Sequence, residues 1–512
     1  MSSRKYTKSI VAAGHPEVCR AASILLEAGG NAFDAVVAAG FASTVVEPAL
    51  TSLGGGGFML GFNARSNQDI CVDFFVDTPG KGHLDDELEP HFFPVTVNFS
   101  GAAQVFNIGM GSVAVPGTLR GLLHIHKKHG VVGLRDVVEP ARRLAMGHEL
   151  NGHQGHFLDL LRPIMTFHKV GRTLYMPEGN YICAGDSLVN EKLADYLEQV
   201  VLEGDANFYR GDIAEAIARE MRQNDGLLTL HDLAGYTVHE RKPLGVKYRN
   251  SVLLTAPEPS MGGTLIGLSL ALADSVDPTE YEWGSSAYLL QTVHRMKTVE
   301  KLRCQGITNP RALEAYLATR QVSDSDDSGR LFSRGTTHIS IADSDGNCAS
   351  MTCSNGEGSG YYAPSTGIML NNMMGEDDLH PEGFHSSPPG ERVHSMMSPS
   401  LLKKGDEIEL VIGSGGSKRI RTAISQVLGQ VVDYGRGIDE AVEAPRLYWD
   451  ENCVQIEPGF STEAVKAIEA GEQVHVWQGK DVYFGGVHCV VPGQIGAADS
   501  RRGGAVSEIQ AD

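Results

Sequence analysis

No Cys-x-x-Cys pair occurs in this sequence. Its eight cysteines stand apart, at 19, 71, 183, 304, 348, 353, 453 and 489. Zinc-ribbon and thioredoxin-type motifs are thereby excluded, and free, mostly buried thiols in a reducing cytosol are predicted. No run approaches the ~20 apolar residues that a membrane-crossing helix needs. The opening MSSRKYTKSIVAAGHPEVCR carries positive charge but no apolar stretch of signal-peptide length, so a cytoplasmic protein is expected. Basic charge is scarce as well: 43 Lys and Arg stand against 63 Asp and Glu, a formal net charge of −20. A nucleic-acid binder needs a basic face, and small-molecule chemistry is expected instead. HExxH, GxSxG and Walker-type glycine loops are missing, which removes the signatures of zinc proteases, serine hydrolases and nucleotide-binding proteins.

Glycine is what the chain has in excess. It supplies 60 of 512 residues, above the usual ~7%. The glycines cluster at 54–57, 262–263 and 415–416, a pattern of tight turns and close backbone approaches rather than of a flexible linker. With 42% hydrophobic and 21% charged residues, the chain is otherwise that of an ordinary globular protein. Its length allows about three domains or one large layered domain.

Apolar spacing predicts a helix after Pro16 and a second one capped by Asn31 that is apolar nearly all round, hence buried. Strands are expected after the Gly54–Gly57 turn and at Ile70–Phe75. Further helices are expected at 117–129, 133–146 and Asp212–Met221. The stretch 324–335 is polar and aperiodic, an exposed loop and the one candidate boundary. Past it the pattern turns to strands: Thr337–Ala342, an Asp345-Gly346 turn, then Cys348–Ser354, a strong hairpin signal. A strand at Ile408–Ser414 and a helix from Lys418 to Tyr434 follow.

Hairpin counting about the Asp345-Gly346 turn sets Thr336 across from Ser354 or Asn355. A threonine at a strand start, after a glycine and an exposed loop, suits a self-cleaving nucleophile. Its hydroxyl would attack the Gly335 carbonyl, the acyl group would shift from nitrogen to oxygen, and water would cut the ester. The freed α-amine, with an ordinary pKa of about 7.7–8.0, would then act as base for the same hydroxyl. Gly413–Ser417 could turn backbone N–H groups into an oxyanion hole, although by itself it reads as an ordinary turn into a helix. Alone, Gly-Thr-Thr at a strand start also reads as structural.

The order of motifs along the chain decides between these readings. Glu47-Pro48 precedes Leu53–Met59, Pro116-Gly117-Thr118 opens a helix, and Pro257–Gly263 follows. Then come Thr336-Thr337-His338, Asp345-Gly346-Asn347, Gly367–Met373, Ser395–Pro399 and Gly413–Ile420. This series resembles the gamma-glutamyltransferase family of N-terminal-nucleophile hydrolases. The resemblance implies an α+β fold, a four-layer αββα sandwich. It implies cleavage between Gly335 and Thr336 into a large subunit, 1–335, and a small one, 336–512, which together form one folded domain, with a dimer of these two-chain units allowed. Thr336 is the implied nucleophile, Ser354 its hydrogen-bond partner, and Gly415 and Gly416 the oxyanion glycines. No metal or organic cofactor is implied, and the partner is a small amide.

The departures from the family pattern fall on substrate recognition. Phe75 stands where the family carries the Arg that holds the glutamyl carboxylate, and a phenyl ring cannot form that bidentate pair. Gly375-Glu376-Asp377-Asp378 alters the acidic stretch that holds the amine. Asn355-Gly356 replaces a motif whose Asn would fall at 356, and Met396 replaces the second of two serines beside Ser395. The substrate-binding positions are thus Phe75, Asn355, Glu376, Ser395 and Met396. The expected activity is acyl transfer or hydrolysis through a threonyl acyl-enzyme. The alternatives are a cephalosporin-acylase-like or oxamate-amidohydrolase-like enzyme for non-glutamyl amides, and an unprocessed binding protein on the same fold. Arg392, Lys418 and Arg419 are candidates to replace the missing Arg. The run from His83 to His91 reads as solvated surface, and His124, His126 and His129 as ordinary helix-face histidines.

Overall fold

The computed structural model describes residues 5–83, 89–99, 102–319, 335–376, 379–380 and 383–511. Two antiparallel sheets stack face to face and are covered by helices on both outer sides, giving a four-layer α+β sandwich. The first sheet runs Ala505–Gln510, Lys8–Ala13, Thr337–Ala342, Cys348–Ser354, Gly56–Asn63, Gln68–Phe74 and His239–Arg241. The second runs Ile495–Ala498, Gly486–Val491, Glu407–Gly415, Ser400–Lys404, Ser251–Thr255 and Leu244–Tyr248. Both sheets mix strands from before and after residue 335.

The first helical layer starts as the sequence predicts, with Pro16–Glu27 and Ala32–Val46. Asn31 accepts from the Phe33 and Asp34 N–H groups while Asp34 accepts from the Asn31 N–H, a reciprocal capping box. Every residue of Ala32–Val46 is buried, because this helix lies between its neighbours and the first sheet. Thr118–His129, Leu134–Ala145 and Asp212–Gln223 match the other expected helices within a residue or two. Met261–Asp274 and Arg419–Tyr434 cover the second sheet.

Strand alternation splits the central hairpin between two environments. Ile339 and Ile341 enter the helix-facing core, whereas Ala342 and Cys348 join Leu60, Leu401 and Val411 between the sheets. His338 and Ser340 also face that inner space. The His338 ring nitrogens reach Thr352 Oγ1 at 2.8 Å and Ser340 Oγ at 2.9 Å, and Ser340 donates to the His488 carbonyl of the opposite sheet at 3.0 Å. Burial holds the His338 imidazole well below its ordinary pKa, so the ring is neutral and its polar atoms are satisfied. A side chain at Gly413 would overlap this ring, which fixes glycine there.

The hairpin register chooses between the two residues expected opposite Thr336. Thr337 pairs with Cys353 and Ala342 with Cys348. The turn therefore takes 343–347, and the Asp343 carboxylate accepts from the Asp345 and Asn347 N–H groups at 3.0 and 2.8 Å. Continued by one residue, this register selects Ser354 over Asn355 as the residue facing Thr336.

All eight cysteines are free thiols, five of them buried. Among the described residues, no helix is long and apolar enough to cross a membrane. The polar loop 324–335 lies outside the described residues except for Gly335, and so do Asp85, Asp86 and Glu87 of the acidic run. His124 contacts Glu240 at 2.9 Å, His126 meets the Val132 carbonyl at 2.8 Å, and His129 packs on Phe33, so the three histidines do not converge.

Candidate active site

Thr336 immediately precedes the Thr337–Ala342 strand and is 5% exposed. Its hydroxyl donates to its own neighbour's carbonyl, Gly335 O, at 2.7 Å. Ser354 Oγ donates to the same oxygen in a short hydrogen bond. The Gly356 N–H donates to Ser354 Oγ at 3.0 Å, which leaves the serine proton directed at Gly335 O. Two hydroxyls thus converge on the carbonyl of one peptide bond.

The loop after Ser354 folds back over that bond. Gly356 has φ 60 and Gly358 φ 86, a left-handed backbone that favours glycine. Asn372 Oδ1 accepts from the Glu357 and Gly358 N–H groups at 2.9 and 3.2 Å and so fixes the loop. Glu357, 1% exposed, accepts from the Gly335 N–H at 2.9 Å. A Cβ at Gly335 would overlap the Gly356 carbonyl oxygen, and one at Gly356 would overlap Asn372 Oδ1 and Glu376 Oε1. Glu376 is thereby placed against Gly356. Asn355 is 1% exposed, and its side-chain amide meets no hydrogen-bond partner among the described residues.

On the other side of Thr336, Arg502 Nη1 donates to the Thr336 carbonyl at 2.9 Å. The end of the Glu407–Gly415 strand reaches the same carbonyl, where a side chain at Gly415 would overlap it. Gly416 follows with φ +120, and the chain turns into Arg419–Tyr434. Thr337 Oγ1 donates to Glu47 Oε2 at 2.9 Å. Burial pushes the Glu47 carboxyl up to about 7, although the Thr337 hydrogen bond and Arg502 both pull it down. Arg502 is lowered to about 10 by burial and stays charged at neutral pH.

Glu47 gives a pH prediction. Between its ordinary value of 4.5 and about 7, the native state holds a proton that the unfolded chain has lost. Stability from this group is therefore full below that window and falls as pH rises through it, by up to roughly 3 kcal/mol. Melting temperatures of wild type and Glu47→Gln from pH 5 to 8 check this. The wild type should lose stability more steeply with rising pH, and parallel curves would contradict the assignment.

Residues 19–509 match the gamma-glutamyltranspeptidase family. The chain belongs to this family. It is 32% identical to the glutathione hydrolase proenzyme of Escherichia coli K12 over 490 residues, covering 88% of this chain and 82% of that one. It is 26% identical to the acylase ACY 1 proenzyme of Pseudomonas sp. strain V22, covering 91% and 86%. The crystal structure of cephalosporin acylase from Bacillus halodurans superposes with a TM-score of 0.81 at 22% identity, over 98% of this chain and 96% of that one, which shows the shared fold. The chain is thus an enzyme of the N-terminal-nucleophile hydrolase kind.

Against the family pattern, the structure brings the Thr336 and Ser354 hydroxyls to the Gly335 carbonyl, sets Gly415 against the Thr336 carbonyl with Gly416 next in the chain, and places Glu376 against Gly356, the neighbour of Asn355. Phe75 shares their sheet row, since Ser354 pairs with Gly56 and a Cβ at Gly56 would lie 3.0 Å from Phe75 Cα. Its ring, however, stacks on Phe58 at 5.7 Å in a cluster with Val76, Met373, Met374 and Met397. Ser395 Oγ accepts from the Met397 N–H at 3.1 Å, a local turn. Met396 is turned away: it packs with Met261, Leu265 and Val299 under the outer helices, because strand-like alternation sends Met397 to the Phe75 side instead. Arg392 is committed to Asp77 at 2.9 Å, Asp73 and the Phe75 carbonyl. Lys418 pairs with Glu451 at 3.4 Å, and Arg419 lies over Tyr483 at 4.1 Å. Sequence reasoning gave no role to Glu47, Arg502, Glu357 or Asn372. Their contacts with the hairpin were not readable from spacing, and only Glu357, a carboxylate inside a glycine-rich loop beside Ser354, carried a local signal.

Proposed function

We propose that the chain cuts its own Gly335–Thr336 bond and then hydrolyses or transfers the acyl group of a small amide through Thr336. The observation that carries this reading is the convergence of Thr336 Oγ1 and Ser354 Oγ on Gly335 O. In the first stage Thr336 Oγ1 bonds to the Gly335 carbon while the hydroxyl proton passes to the departing amide nitrogen. Ser354 stabilises the charge that develops on Gly335 O. Water then adds to the ester, which leaves a carboxylate on Gly335 and a free hydroxyl and amine on Thr336. In the second stage the amine takes the hydroxyl proton as Thr336 attacks the substrate carbonyl, and it returns that proton to the leaving amine. The Gly415 and Gly416 N–H groups, at the strand end beside Thr336, are the proposed oxyanion donors of this stage.

The burial of Phe75 in an apolar cluster favours an acylase for non-glutamyl amides over a gamma-glutamyl enzyme. Among the described residues, Arg392 is paired with Asp77, Lys418 with Glu451, and Arg419 lies buried over Tyr483, which makes each a poor substitute for the missing bidentate arginine. Intact-mass analysis tests the reading. The purified protein should show two chains that meet at 335/336, and the chain beginning at Thr336 should gain acyl mass with substrate. A single uncut chain under all conditions would refute it.

A further inference from the structure

Thr336 lies ahead of its strand, whose ladder opens with Thr337 opposite Cys353. In the uncut chain Gly335 secures it from the other side. The Gly335 N–H donates to Glu357 at 2.9 Å, and the Gly335 carbonyl receives the Thr336 and Ser354 hydroxyls. The proposed cut severs Gly335 from Thr336 and turns Thr336 into a chain end, the part of a fold most prone to fray. A second hold comes from far along the chain. Arg502 Nη1 donates to the Thr336 carbonyl at 2.9 Å, a bond that cleavage leaves untouched.

The same guanidinium reaches the proposed oxyanion turn. A Cβ on Gly415 would lie 3.1 Å from Arg502 Nη1, and one on Gly416 3.5 Å from Nη2. The side-chain stem packs on Gly486, where a Cβ would overlap Arg502 Cδ, and Gly486 pairs with Gly415 across the sheet. The guanidinium fork thus touches both the carbonyl of the nucleophile and the two glycines. Its base is stiff. The Ser500–Arg502 turn starts at Asp499, whose carboxylate meets Arg446 at 2.6 Å and Arg501 at 3.0 Å in full burial. We infer that Arg502 is a positioning residue of the acyl-transfer stage, tying the new chain end at Thr336 to the Gly415–Gly416 turn. Nucleophile and oxyanion donors then keep one spacing after the covalent tether to Gly335 is gone. The inference rests on the two-stage reaction proposed above. Self-cleavage depends on the clamp far less, because the peptide bond itself keeps Thr336 Oγ1 on Gly335 and Ser354 is the donor there.

Wild type, Arg502→Lys and Arg502→Met test it in two measurements. One is the rate at which the two fragments appear on a denaturing gel. The other is p-nitrophenol release from p-nitrophenyl acetate by the fully cut proteins, less the release by Thr336→Ala. Arg502→Met should lower turnover about ten- to a hundred-fold, the scale of a reacting group displaced by about an ångström. The loss should fall on kcat, with KM and the cutting rate each within about three-fold of the wild type. Arg502→Lys keeps the charge but not the fork, so its turnover should lie between the two. Equal losses of cutting and turnover would make Arg502 a structural anchor and overturn the inference, as would wild-type turnover by Arg502→Met. Should Arg502→Met fail to fold, Arg502→Lys decides by the same comparison: turnover lowered more than cutting supports the inference, and any other result overturns it. A wild type that stays uncut, or that is cut yet releases p-nitrophenol no faster than Thr336→Ala, would instead refute the proposed function itself.

Discussion

Thr336→Ala should remain a single uncut chain and lose turnover by roughly 10⁴-fold or more, the scale seen when an enzyme's nucleophile is deleted. Both effects have one origin, because the hydroxyl that bonds to Gly335 O at 2.7 Å is the same atom proposed to attack substrate. The fold itself should survive. Thr336 lies just ahead of its strand, and the ladder from Thr337 to Ala342 is made by backbone atoms. A denaturing gel reads the cleavage, and a melting curve within a few degrees of the wild type excludes misfolding. Thr336→Ser keeps the hydroxyl and should still split. If Thr336→Ala splits at 335, or keeps its activity, the nucleophile is another group.

Ser354→Ala should slow self-cleavage by about 10²–10³-fold, the usual cost of removing one donor from a developing oxyanion. Ser354 is the second hydroxyl on Gly335 O, aligned by the Gly356 N–H at 3.0 Å. The alanine also leaves that buried N–H without its acceptor, which adds roughly 1–3 kcal/mol of destabilisation. The two effects are separable. The time course of fragment appearance reports the first, and denaturant unfolding reports the second. Ser354→Thr restores a hydroxyl at the same position and should recover most of the rate. Cleavage of Ser354→Ala at the wild-type rate would remove Ser354 from the chemistry.

Local signals carried the elements well. Asn31 announced its helix because a capping side chain acts within three residues, and the evenly apolar 32–46 stretch announced burial because no face of it could meet water. The Asp345-Gly346 turn announced the hairpin. It left Ser354 and Asn355 both open opposite Thr336, and the choice of Ser354 goes with a turn closed by the Asp343 side chain, which also accepts the Ala32 N–H at 2.9 Å from a distant helix.

The sequence alone determined the hairpin, the glycine before Thr336 and the nearness of Ser354, since each depends on neighbours in the chain. The ordered motifs extended this to the family and its four-layer fold. Tertiary structure decided the rest of the site. Glu47 meets Thr337, and Arg502 meets Thr336, across 290 and 166 residues of chain, distances over which spacing carries no information. It also decided which core each neighbouring side chain enters. Met396 and Met397 are neighbours of equal polarity, and only the pairing of sheet and helix sends one to the outer core and the other toward Phe75.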